Sequence, residues 1–131
     1  MLSTRTIRMP LASSLTLLLV ACASGSDPDS VICTMEPKPA IALSVIDSVD
    51  RHPVIGYTAT VIRTDGYTET VTTSDSNHQL FAVEGTDPMD GTYDVKVTKP
   101  GYHDWHAGDV VAGRDDCGVQ EVRLEAELVP R

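Results

Sequence analysis

Ser74, Asp75, Ser76 and His78 lie close together in the chain, and a serine, a carboxylate and an imidazole are the parts from which acyl transfer is built. No Gly-x-Ser-x-Gly elbow presents either serine, and closeness in sequence is not triad geometry. His103 and His106 offer imidazoles to a metal ion. On a strand their odd spacing puts them on opposite faces, out of reach of one ion, so they read as surface histidines flanking a buried Trp105. His52 and His78 sit beside turn residues and have no spacing relation to either. Asp87, Asp90 and Asp94 bracket a glycine turn and carry the oxygen atoms calcium prefers. They depart from the Asp-x-Asp-x-Asp-Gly loop with its distant Glu, and a solvated acidic loop is expected. Asp115-Asp116 reads as a turn. Tyr57, Tyr67, Tyr93, Tyr102 and Trp105 are the side chains for an aromatic ligand platform, with Tyr93 and Trp105 expected in the core and the others partly exposed. No catalytic residue, metal ligand or cofactor is assigned from these groups, and the chain is expected to be non-enzymatic. Binding of a cation or a glycan is the alternative expectation.

The elements that must position these residues read as strands. From Ala40 the chain alternates, with Ile41, Leu43 and Val45 on one face. Val54 to Arg63 gives a second strand with Tyr57, Ala59 and Val61 together. Asp65-Gly66 follows, a dipeptide that favours a type I′ hairpin turn and an antiparallel return through residues 67–73. That return is rich in threonine, and Glu69 interrupts its apolar face, which suits an edge strand. His78 to Val83 is a short strand, and 85–91 is a loop. Thr92 to Thr98 alternates most cleanly, with Tyr93, Val95 and Val97 inward. Pro100-Gly101 turns the chain into a less regular strand over 103–112. Residues 118–129 fit a helical stripe as well as an alternation and are read as a strand, with a parity change that predicts a bulge near Gln120-Glu121. About seven strands at this spacing predict a small antiparallel β-sandwich.

Ahead of the strands, Arg5 and Arg8 precede an apolar run from Leu11 to Val20, in the order of an export signal and too short to span a bilayer. The run closes on Leu19-Val20-Ala21-Cys22, which resembles the lipobox of bacterial lipoprotein precursors. The resemblance implies that residues 1–21 are a signal peptide cleaved before Cys22, that the Cys22 thiol takes a diacylglyceryl group, and that the new amino terminus is acylated, with palmitate among the expected chains. A single chain holds a protein only marginally, so multiple acyl groups make a durable membrane anchor. Ala23, where an Asp commonly signals inner-membrane retention, points to the outer membrane of a Gram-negative host. Residues 22–32, mostly Ser, Gly, Asp and Pro, are the expected lipidated tether.

Cleavage at that point leaves material for one domain, residues 33–131. Loss of Arg5 and Arg8 takes the net charge from −9 to −11. So acidic a surface repels phosphate, which excludes nucleic acid as an expected partner. With Cys22 committed to lipid, Cys33 and Cys117 remain, and in an oxidising compartment the pair is expected to bridge. No CxxC motif or nearby histidine completes a metal set around them.

Cys33, then Pro39-Ala40-Ile41-Ala42-Leu43-Ser44-Val45, then Gly91-Thr92-Tyr93-Asp94-Val95-Lys96-Val97 with Pro100-Gly101-Tyr102, Trp105 and finally Asp116-Cys117 with Val119 and Val122 to Leu128 resemble the carboxypeptidase regulatory-like domains of bacterial lipoproteins. The resemblance covers residues 33–129 and implies a transthyretin-like sandwich. It also implies an accessory, folding or interaction module that is not catalytic. The anchor, with no catalytic signature beside it, makes a binding or structural module the expectation and an envelope protein the expected partner. Hydroxyisourate hydrolases share that fold, but their Tyr-Arg-Gly-Ser signature is not among the last residues of this sequence. No oligomeric state follows from these residues.

Overall fold

Alternating large and small apolar residues build the first strand, β1 (Pro39–Asp47), and let it serve as the centre of a sheet. Ile41, Leu43 and Val45 point into the core, while Ala40 and Ala42 on the other face are small enough to be covered by their neighbours. The computed structural model describes residues 31–131, and beyond β1 these form β2 (Thr58–Arg63), β3 (Thr68–Thr72), β4 (Gln79–Val83), β5 (Gly91–Thr98), β6 (Trp105–Ala112), β7 (Arg114–Asp115), β8 (Gly118–Val119) and β9 (Val122–Leu128). The expected signal peptide, Cys22 and all but the last two residues of the expected tether lie outside the described residues.

The fold is all-β, as expected. A three-stranded sheet in the order β4-β1-β9 faces a four-stranded sheet in the order β3-β2-β5-β6, and β7-β8 is a two-residue ribbon beside them. Side chains from both sheets meet in one core around Ile41, Leu43, Phe81, Tyr93, Val95 and Leu128. Each such side chain contributes on the order of 1.5–3 kcal/mol of transfer free energy. Tyr57 is also in this core, and its hydroxyl has no hydrogen-bond partner.

Several local expectations are corrected. The sandwich is not antiparallel throughout: β1 and β9 run parallel, Ile41 beside Val122 through Asp47 beside Leu128. A parallel pair needs a long crossover, and here the connection is the rest of the domain. The second strand begins at Thr58, since residues 54–57 are held outside the ladder, with Gly56 bonded to Thr73. The Asp65-Gly66 turn is not type I′. Gly66 has φ of 101° while Asp65 is not left-handed, and Arg63 accepts from Gly66 and donates to Tyr67. Those bonds define a three-residue loop ending on a left-handed glycine. The parity change at Gln120-Glu121 is a break between β8 and β9, where a bulge was expected, and it turns Val119 inward from one strand and Ala126 and Leu128 from the next. Trp105 is half-buried, packed against the core's margin, where full burial was expected.

Cys33 and Cys117 form a disulfide with their Cα atoms 5.2 Å apart. Cys117 sits at the tip of the β7-β8 ribbon, where the Asp115 carboxylate accepts its backbone N–H at 2.8 Å, the turn expected from Asp115-Asp116. The bridge fastens the entering chain to the end of the sandwich where β1 begins.

Candidate functional site

β1 gives the domain two poles. Its Pro39 end pairs with Val83, and around it lie the disulfide, the 84–90 loop and the β7-β8 ribbon. Its Asp47 end pairs with Leu128, and around it lie the 48–57 loop and the Lys99–Asp104 turn. At the rise of a strand the two ends are roughly 26 Å apart.

The entry pole is tied by ions. Arg114 pairs with Glu84 and, at 3.1 Å, with Asp90, while the other Glu84 oxygen accepts the Val119 N–H at 2.9 Å. That backbone bond, helped by Arg114, holds the Glu84 carboxyl below its ordinary range. Gly118 makes the contact feasible: it has φ of 114°, and a Cβ there would collide with the Glu84 carboxylate. Arg63 closes the adjacent corner through Asp65 and the Pro88 carbonyl.

The opposite pole carries an open, mixed-charge cleft of about 520 Å³ beside a second depression of about 230 Å³; Lys99 and Tyr102 line both. Asp47 organises it. Its carboxylate accepts the N–H of Val49 at 2.7 Å and of Asp50 at 3.3 Å, and the Tyr102 hydroxyl donates to it at 2.8 Å. The Val49 bond first, then Tyr102, lowers its pKa, and the same contact raises that of Tyr102. Lys99 donates to the Ile55 carbonyl, and Arg131 to the Tyr102 carbonyl at 3.0 Å. These groups are spent on one another, so the cleft presents a fixed polar relief with Asp50, His52 and Asp104 at its rim. Among the described residues it holds no paired nucleophile and base.

Because the Asp47 carboxyl is held low, its contribution to stability is complete above the unfolded value of about 3.9 and is lost as pH falls through the lower folded value. Asp47→Asn should flatten the acid limb of stability against pH, read by urea melts from about pH 5 down to about pH 2. An acid limb with wild-type slope would show that this carboxylate carries no such linkage.

The residues singled out for chemistry do not converge. Ser74, Ser76 and His78 are exposed in one loop, and the Asp75 carboxylate accepts the Asn77 N–H at 3.1 Å. Among the described residues no hydrogen bond joins His78 to either serine or to Asp75. His103 precedes β6, while His106 lies on it opposite Lys96. Asp90 is paired with Arg114, and Asp94 faces the Asp109 N–H at 3.4 Å, leaving Asp87 exposed alone. No group of three His, Cys, Asp or Glu among the described residues is placed to hold a metal ion. The aromatic side chains form no exposed platform: Tyr57 and Tyr93 are buried, and Tyr67, Tyr102 and Trp105 are half-buried. Burial first, then a 2.9 Å bond to Glu69, pushes the Tyr67 hydroxyl up to about 12.

Asp47 and Glu84 are residues the sequence did not single out, and Tyr102 was singled out only for an aromatic platform, not as a partner of Asp47. An aspartate closing an apolar strand before Ser48-Val49-Asp50 is a local turn signal for the first. Nothing local links it to Tyr102, 55 positions away. Neither family models nor curated proteins match this chain.

Proposed function

We propose that this chain is a lipid-anchored cell-envelope protein whose β-sandwich is a non-catalytic module binding an envelope protein through the pole that carries Asp47 and Tyr102. The observation that carries the reading is the opposition of the poles. The entering chain is clamped by Cys33–Cys117 at one end, and the polar cleft lies at the other, where a partner has free access. The lipobox-like Leu19-Val20-Ala21-Cys22 and the export-type leader support the anchor, and Ala23 supports the outer membrane. The likeness to carboxypeptidase regulatory-like domains, with their transthyretin-like sandwich, supports an accessory role. A relief of satisfied polar groups suits recognition of a protein surface better than turnover of a substrate.

Two measurements test it. Cys22→Ala should abolish incorporation of labelled palmitate and move the protein from the membrane to the soluble fraction. Retention in the membrane with no label in the wild type would sink the anchor. A photocrosslinker at Asp50 or Asp104 should give one discrete adduct with another envelope protein, and the same probe at Glu121 should not. Equal, diffuse labelling from all three positions would remove the binding module.

A further inference from the structure

The four edges of the sandwich are not equally protected. β6 is broken by a register shift opposite Asp94, with Asp109 in a left-handed conformation at φ of 54°. β9 carries Arg123, Glu125 and Glu127, with Arg51 reaching across from the 48–57 loop to both glutamates. β4 is distorted at Ala82, φ 51°, whose N–H leaves the ladder for the Glu69 carboxylate. Bulges, charges and irregularities of this kind are what keep edges from pairing with other chains. β3 has no bulge, no irregularity and no outward charge. Thr68-Glu69-Thr70-Val71-Thr72 pairs with β2 in unbroken register, and its only charge, Glu69, is turned inward, accepting from the Tyr67 hydroxyl and the Ala82 N–H.

The orientation of that edge follows from its flanks. Arg63 donates to Tyr67 and Thr73 donates to Tyr57, so residues 67, 69, 71 and 73 direct their backbone groups towards β2. Thr68, Thr70 and Thr72 therefore direct their N–H and C=O groups away from the sheet. We propose that this edge pairs with β3 of a second copy of the chain, antiparallel about a two-fold axis through Thr70, joining two four-stranded sheets into one of eight strands.

The sequence of β3 is self-complementary in that register. Thr70 faces Thr70 and Thr68 faces Thr72, all as hydrogen-bonded pairs, so every outward backbone group of the three threonines finds a partner. Glu69 falls opposite Val71, so no like charges are opposed. The outer face repeats across the axis what it already does within one copy, where Thr58 and Thr72 hydroxyls lie 3.0 Å apart and Thr60 and Thr70 hydroxyls 3.1 Å apart. Electrostatics select the same region. The chain carries a net charge of −9, yet the outer face of β2 and β3 presents only threonines and Ile62, and the nearest charges on that face, Asp94 and Lys96, lie on β5, with Lys96 paired to Asp104 at 3.7 Å. Two acidic copies meet there at least cost. The pairing does not depend on the lipid anchor.

Cysteine trapping in the full-length protein, expressed in its own envelope, tests the register. Thr70→Cys places two thiols across a hydrogen-bonded pair, at a Cα separation of about 5.5 Å that a disulfide tolerates. It should give a disulfide-linked peptide joining that position in one copy to the same position in the other. The yield should be about tenfold above that from Thr92→Cys, which lies on the same face but on the interior strand β5. Mixed Thr68→Cys and Thr72→Cys chains should link to each other, and an intact Cys33–Cys117 peptide reports that each variant is folded. Yields from Thr70→Cys no higher than from Thr92→Cys, in chains with that native bridge, overturn the pairing. So does an adduct of Thr70→Cys with a different protein in place of the link between copies, because the edge then serves another occupant. Loss of the link leaves palmitate labelling and the Asp50 adduct untouched, so failure here is separate from failure of the anchor or the partner reading.

Discussion

Replacing both Cys33 and Cys117 by Ser should lower stability by about 4 kcal/mol, the largest effect expected of any surface change in this domain. The bridge closes 84 positions of chain. Closing a loop of that length removes denatured-state entropy equivalent to roughly 4–5 kcal/mol, and native disulfides in small exported domains are worth about 2–5. For a domain of this size that corresponds to a fall in Tm of about 15–30 °C. The effect has a structural side as well. Cys33 is exposed and Cys117 half-buried on a ribbon of two-residue strands, so little apolar packing replaces the bridge at the entry pole. Chemical and thermal melts of the double variant, with the wild type in reductant as a companion, check the magnitude. A loss below about 1 kcal/mol would mean that Glu84, Arg114 and the loops around them hold that pole unaided.

Phe81→Ala should cost about 3–5 kcal/mol and leave the disulfide formed. Phe81 is the only phenylalanine of the chain, is fully buried, and lies on β4, a five-residue strand with one neighbour in its sheet. Ala82 beside it is also buried but contributes little volume, and Leu80 and Val83 are largely exposed. The ring is therefore the main apolar tie between β4 and the opposing sheet, and truncating it leaves a cavity the short strand can fill only by moving. Urea melts give the free energy, and faster hydrogen exchange confined to residues 79–83 would show which strand loosens. A variant within about 1 kcal/mol of wild type would place the cohesion of β4 elsewhere, in its ladder with β1 or in the Glu69 carboxylate.

The sequence by itself determined what depends on neighbours one or two residues apart. Two-residue alternation placed Ile41, Leu43, Val45, Tyr93, Val95 and Val97 in the core, because a pleated strand sends alternate side chains to opposite faces whatever it packs against. The threonines and the single charge of residues 68–72 marked an edge strand, and β3 is one. The cysteine pair was legible too, because the expected export and the expected lipidation of Cys22 left two thiols to bridge, and Cys33 and Cys117 are bridged.

What only the tertiary structure decided depends on groups brought together from far along the chain. The parallel meeting of β1 and β9, the Asp47–Tyr102 contact and the grip of Glu84 on Arg114 and Val119 join residues tens of positions apart, and no local periodicity encodes such a partnership. The turn at Asp65-Gly66 shows the same limit over a shorter distance: the dipeptide suits two hairpin geometries, and the register of β2 against β3 selects the three-residue one. Local residue types set which face of each strand is wet. Long-range pairing alone sets which strands are neighbours, which carboxylates are spent, and which edge remains open.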